Sequence, residues 1–482
     1  MPRVTPDTKP ISHIDRRRDA EAQLDSCSCR GCAQHRPALV SVCTKLYAAT
    51  YAIVHKDVSS IRIGYCHDSV RGNSVGQMSA AFKLDTRFIP TLAGAAIVMS
   101  QLSNFVFAPA LPEIGRYFEI SAGRSQMLMS VFLTGYASVQ IVVGPLADRF
   151  GRRPVLIGGV GLLALGAVTA AVAQIVAGVF VGVFILSVGA GVLPTVGQAM
   201  IRDSRDAQAT LMILARLGTA LALASALTPI IGTSLVGTLG WRGLFAVLAA
   251  VVLALGPFAF ASPETLASCA QEDNKRPHLV VSLESYRIAL GQRRLVLYAT
   301  MIGCLTGALT IFFIGAPFLF MHKLKVSVHA YGILAFVAFL PFIIGSIVVR
   351  ESLRRQWLSL HANILLGCGL AVIGAAIGWL TSVLEPSVML ILLAAGTFTF
   401  GLGMAVVVGR SAALTEATRD IATSSALVTF LMTVLAAAIS ATAGFIETTE
   451  HAPIFSLMFA SALIGFAAAF AGNSIARAAT AT

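Results

Sequence analysis

From Phe88 onward, long apolar runs alternate with short polar connectors. Twelve runs are long enough to cross a bilayer, near 88–110, 125–147, 155–176, 178–201, 210–236, 242–262, 295–320, 330–349, 359–382, 387–409, 421–446 and 452–474. About 20 apolar residues, rising about 1.5 Å each, span a hydrocarbon core of about 30 Å. The strict apolar–polar alternation of barrel strands is absent. Lipid cannot hydrogen-bond a backbone, so each run is predicted to be a helix. One connector, 263–294, is long and polar, and it sets six spans on either side. The expected class is an all-α integral membrane protein of twelve transmembrane helices, with six-span units over 88–262 and 295–474. The linker 263–294 joins them, and residues 475–482 form a tail.

Composition agrees. Of 482 residues, 56% are hydrophobic and 12% are charged, against about 25% charged in a soluble domain. Mean hydropathy is +0.80. The net charge of +12 matters through its distribution. With the N-terminus placed inside, the inner connectors and C-terminal tail carry 16 Lys and Arg, including Arg410 and Arg419; the outer ones carry 5. Positive residues resist translocation, so both termini are expected in the cytoplasm. The first span itself would serve as the targeting signal. Residues 1–87 hold 13 of the 35 basic residues. They bear no nucleic-acid motif, and a basic tail alone does not indicate nucleic-acid binding.

The connector between spans 2 and 3 reads "GPLADRFGRRP", residues 144–154. Four charges fall in the six positions from Asp148 to Arg153. Gly151 can take the positive φ that ends a helix. The arginines would hold the turn inside, and on the plain reading it is only a topology signal. Asp148 could also pair with Arg149 or Arg152, or face a helix N-terminus of the other half. Contacts made in only one arrangement of the halves would bias a two-state equilibrium.

Gly144, Leu146, Ala147, Asp148, Arg149, Gly151, Arg152 and Arg153 form G-x-L-A-D-R-x-G-R-R. This pattern resembles the signature loop of the major facilitator superfamily, in the place where that family has it. "PALPEIGRYF" (109–118), "QAMIRD" (198–203), "LTPIIG" (227–232), "GWRGLF" (240–245) and "GAPFLF" (315–320) are similar to segments of the bicyclomycin-resistance (Bcr/CflA-type) multidrug exporters. The likeness covers about 88–474. It implies two six-helix bundles rocking around a central cavity, proton-driven export of a small molecule across the cytoplasmic (inner) membrane, and a monomer. It also gives the loop residues, Gly144 and Asp148 to Arg153, a gating role: latching the cytoplasmic side closed.

The sequence departs from that family where coupling would sit. Phe105 stands where an Asp is usual. Val183 and Leu186 replace Arg-x-x-Gln, Gln198-Ala199 replaces an Arg-Ala pair, and Gly232-Thr233 replaces a Gly pair. No span carries an Asp or Glu near its middle; the nearest titratable groups are Glu113, Asp203 and His361. Arg216 lies inside span 5, where it either snorkels or lines the cavity; the second would suit an anion. The candidate cavity lining is Gln101, Asn104, Phe105, Gln140, Gln198 and Arg216. Amides in bundles often serve only as ties between helices.

"CSCRGCAQH" places Cys27, Cys29, Cys32 and His35 close together, a set that could in principle bind zinc or copper. The alternative is a disordered tail, or one that is never translated, with Met78 as the start. The apolar run 38–54 is too short for a span and carries Lys45. No metal site, cofactor or catalytic residue is assigned. There is no Walker loop, and no Ser/His/Asp or Cys/His grouping has a dry site. The expected function is a secondary exporter of drugs, metabolites or siderophores. An uncoupled facilitator or importer of a small, anionic metabolite is the alternative. A transporter-like membrane sensor is the third reading.

Overall fold

The computed structural model describes residues 88–204, 207–266, 287–381, 387–414, 421–445 and 451–481. The described chain is helical throughout. Span 1 is Ile89–Phe105, continued by Leu111–Tyr117 after a short turn; span 2 is Ala122–Gln140 followed by Val143–Phe150. Span 3 is Arg152–Val172 and span 4 is Val176–Ser204. A run from Ala207 to Ala261 holds spans 5 and 6. Span 7 is Arg293–Pro317, with a wider, π-helical extension, Phe318–Lys323. Spans 8 to 12 are Val328–Arg354, Leu360–Leu380, Val388–Leu414, Ile421–Phe445 and His451–Ala481.

Ten described helices are long and apolar enough to cross a bilayer, and the two pieces of span 2, bent by 47°, make an eleventh. The twelfth comes from dividing the 55-residue run, which at about 1.5 Å per residue is far longer than any bilayer core. The division falls at Gly240, whose φ of 70° and ψ of 177° are not helical. That conformation is essentially reserved for glycine. The break lets span 5 end and span 6 begin with no intervening loop. Glu113, on the extension of span 1, accepts the Trp241 amide and so caps span 6. Arg242 lies over the rings of Tyr117 and Trp241, at 4.3 and 4.4 Å, and donates to the Ala173 carbonyl.

Serine caps begin three other spans. Ser121, Ser327 and Ser359 accept the amides of Arg124, Ala330 and Ala362, each such cap being worth about 1 kcal/mol. Glycines then let neighbours touch backbone to backbone. A Cβ on Gly166, Gly182 or Gly189 would strike the facing backbone of the span 3–4 pair. Gly367, Gly374 and Gly401 do the same for spans 9 and 10. Without a hydrophobic drive between helices in lipid, such close approach is what holds them together.

Span 10 differs from expectation. Arg410, read above as part of a connector, lies within the helix, which runs on to Leu414.

Gly240→Ala is expected to cost about 1–3 kcal/mol, the penalty for a non-glycine residue in this conformation. The check is a lower melting temperature in detergent than for Gly256→Ala, whose added methyl group would meet nothing within 4 Å.

Candidate functional site

One end of the protein carries the span 2–3 loop and is called here the basic end. Gly151 has φ 96° and ψ 157°, and a Cβ there would collide with the Glu264 carboxylate. Glu264 follows span 6 and caps span 3. Its Oε1 accepts the Arg152 amide at 2.8 Å and its Oε2 the Arg153 amide at 3.1 Å. A carboxylate at a helix N-terminus meets the positive end of the helix dipole.

Arg152 is the hub of the charge network. Its Nη1 lies 2.5 Å from Asp148 Oδ1, and its Nε donates to Asp203 Oδ2 at 3.1 Å. The Arg152 side chain is only 13% exposed, Asp203 28% and Asp148 47%. A single exposed pair would be worth about 0–1 kcal/mol; here one half-fixed guanidinium joins the ends of spans 2, 3 and 4. Arg153 donates to the Phe260 carbonyl, and Arg149 lies over the Phe150 ring at 5.4 Å. Nothing lies within 4 Å of a Cβ built on Gly144. Asp148 therefore pairs with Arg152, one of the two partners open to it in the sequence. Asp203, at the last turn of span 4, belongs to the same network. Nothing in the residue pattern points to Glu264, which lies more than a hundred residues from the loop it caps.

The two bundles meet at the opposite, far end. Span 2 packs on span 11 and span 5 on span 8. Ser130 and Ser440 share a hydrogen bond of 3.0 Å. Gly444 rests on Met127 and the Gly123 carbonyl, Gly237 on the His329 ring, and Gly332 on Thr233. Phe105 meets Phe313 with ring centroids 5.1 Å apart. Ile314, Phe318, Ala436 and Ala437 of spans 7 and 11 are buried in the core of the first six spans. All these residues lie in the half of their spans remote from the charged loop. Toward the basic end, span 2 bends and leaves Val142, Leu146 and Phe150 exposed at 50, 39 and 56%.

The remaining candidates are spread along the spans. Gln140 is buried and donates to the Gly191 carbonyl, while Thr195 donates to its Oε1; both partners are on span 4. Gln101 donates to Ser225 of span 5 at 2.9 Å. Asn104, Phe105 and Gln198 are half-buried. Arg216 is exposed and forms no ion pair among the described residues. His361 is held in a polar knot: its Nδ1 is 3.0 Å from Asn473 Oδ1, which also accepts from the Tyr298 hydroxyl at 2.7 Å. This knot ties spans 7, 9 and 12. Cys27, Cys29, Cys32 and His35 lie outside the described residues. Among those described, no three or more His, Cys, Asp or Glu side chains gather as they would around a metal.

Residues 93–441 match the family model described as Major Facilitator Superfamily. The chain is 26% identical over 276 residues to the chloramphenicol resistance protein CraA of Acinetobacter baumannii, covering 57% of this chain and 65% of that one. It is 24% identical over 307 residues to the multidrug transporter MdfA of Escherichia coli O6:H1, covering 63% and 73%. The aligned part thus spans about two thirds of these relatives. Among solved structures, the D-xylose–proton symporter is similar with a TM-score of 0.63 at 14% identity, over 79% of this chain and 97% of that one. A bacterial homologue of the human lysosomal transporter Spinster, titled as inward-facing and unoccupied, gives 0.60 at 14% identity, over 80% and 96%. At such identity these two show the fold alone.

The far-end seam predicts a cross-link. Ser130→Cys with Ser440→Cys should form a disulfide on mild oxidation, seen as a mobility shift that reductant reverses. Either single variant should show no shift.

Proposed function

We propose that this chain, which belongs to the major facilitator superfamily and is therefore a multi-pass membrane transporter rather than an enzyme, exports small molecules across the cytoplasmic membrane by alternating access. The observation that carries this reading is the asymmetry between the ends: the bundles clasp at the far end and part toward the basic end. With the basic end in the cytoplasm, as the 16-to-5 distribution favours, the cavity faces inward and stands ready to load cargo from the cell. Two relatives are named for chloramphenicol resistance and multidrug transport, which supports drugs or drug-like metabolites as cargo.

The Asp148–Arg152–Asp203 network and the Glu264 cap hold the loop of spans 2 and 3 as one unit with spans 4 and 6. In the cycle that unit would meet the second bundle when the basic end closes. Gly144 and Leu146, on the open side of span 2, would lie at that contact. The family resemblance supports proton coupling. A specific observation favours an uncoupled facilitator as the second reading: Glu113 caps span 6, Asp203 binds Arg152 and His361 is knotted to Asn473, so each of these titratable groups already has a structural partner.

In efflux-deficient cells, expression should lower the accumulation of at least one member of a panel of drugs and labelled anionic metabolites, and a protonophore should restore it. Arg152→Ala, which unties Asp148 from Asp203, should weaken export several-fold at equal membrane abundance. Accumulation that falls only to equilibrium and ignores the protonophore would instead support the facilitator.

A further inference from the structure

The two halves of the chain place a glycine and a polar residue at matching positions. "VGQA" (196–199) lies on span 4 and "VGRS" (408–411) on span 10, the fourth span of each half. The glycines do the same work. Gly197 packs on Ile97 and the Ala93 carbonyl of span 1, and Gly409 packs on Met301 of span 7, the first span of each half. With the glycine facing its own bundle, the next residue turns about 100° round the helix. Gln198 and Arg410 are therefore equivalent. Arg410 is solvent-accessible although protein surrounds it, and it lies close enough to Tyr136 of the first bundle to act on it electrostatically. Tyr136 in turn sits beside Ser100 and Gln140. Arg410 thus points into the space between the bundles.

No Asp or Glu stands within the middle of any span, and no ion pair of Arg410 occurs among the described residues. Water screens the guanidinium while the basic end is open. When that end closes, water leaves and the charge stays. A cation enclosed without a counter-charge is strongly disfavoured. A cargo that brings a negative charge removes that penalty; a neutral or cationic one does not.

We propose that the inner half of the cavity is an anion site, with Arg410 as its charge and Tyr136 as a hydrogen-bonding neighbour from the opposite bundle, and that the cargo class is organic anions such as carboxylates. This rests on the reading of the cavity as the transport path and names what travels in it.

The test uses the full-length chain with its native cysteines replaced and Val407→Cys introduced. Val407 is 37% exposed and one turn from Arg410. The purified protein is labelled with two methanethiosulfonate reagents of the same size, one bearing sulfonate and the other trimethylammonium. Each rate is divided by that for a free thiol. The sulfonate should be favoured by about tenfold or more, as a single charge at close range in a partly dry site dictates. Arg410→Gln should abolish the preference and Arg410→Lys should retain it. Thr195→Cys on span 4 provides the same reading should Val407→Cys fail to fold. A preference unchanged by Arg410→Gln overturns the proposal. The labelling does not depend on export. A flat ratio in a protein that still lowers drug accumulation removes only the anion site. A charge-selective ratio in a protein that leaves accumulation untouched removes only export.

Discussion

Hydrocarbon cannot hydrogen-bond a peptide group, so each crossing of a bilayer must satisfy its amides and carbonyls within its own helix. In this chain that constraint drives polar chemistry to three places. One is the helix ends, where Glu264, Glu113 and three serines cap free amides. Another is the seams between helices, where hydroxyls and amides are paired. The last is the space between the bundles, where water substitutes for lipid.

The loop between spans 2 and 3 shows how much can be built at a helix end. Gly151 reverses the chain, Glu264 caps the helix that follows, and Arg152 bridges two aspartates on either side. The result is a rigid corner made from four separate segments. The far end contains glycine, serine, threonine and alanine in close contact. Such a surface fits tightly, and the Ser130–Ser440 hydrogen bond has to be broken to part it.

Much of this was legible in the sequence. Twelve apolar runs marked the spans, and "GPLADRFGRRP" marked the loop with most of its active groups. The hydropathy pattern failed where a local rule was overridden by position in three dimensions. Gly240 alone separates spans 5 and 6, and no polar stretch announces the break. Arg410 resembled the end of a span because a charge normally ends one; here the helix runs on past it to Leu414. Glu264 and the Ser130–Ser440 pair were out of reach, since sequence distances of 112 and 310 residues leave no periodic trace. Gln101 and Gln140 carry the same side chain, yet only packing shows that each is joined to a neighbouring span.

The far-end seam also bears on the electrical character of the cycle. Moving one elementary charge through a potential of 100 mV changes its energy by about 2.3 kcal/mol. Among the described residues the seam is made of hydroxyls, methyl groups, glycine backbone and aromatic rings, with the His329 ring beside Gly237. Parting it carries no fixed charge through the field. Voltage across the membrane can therefore act on a charged cargo, while the described contacts of the far door add no fixed charge for the potential to pull on.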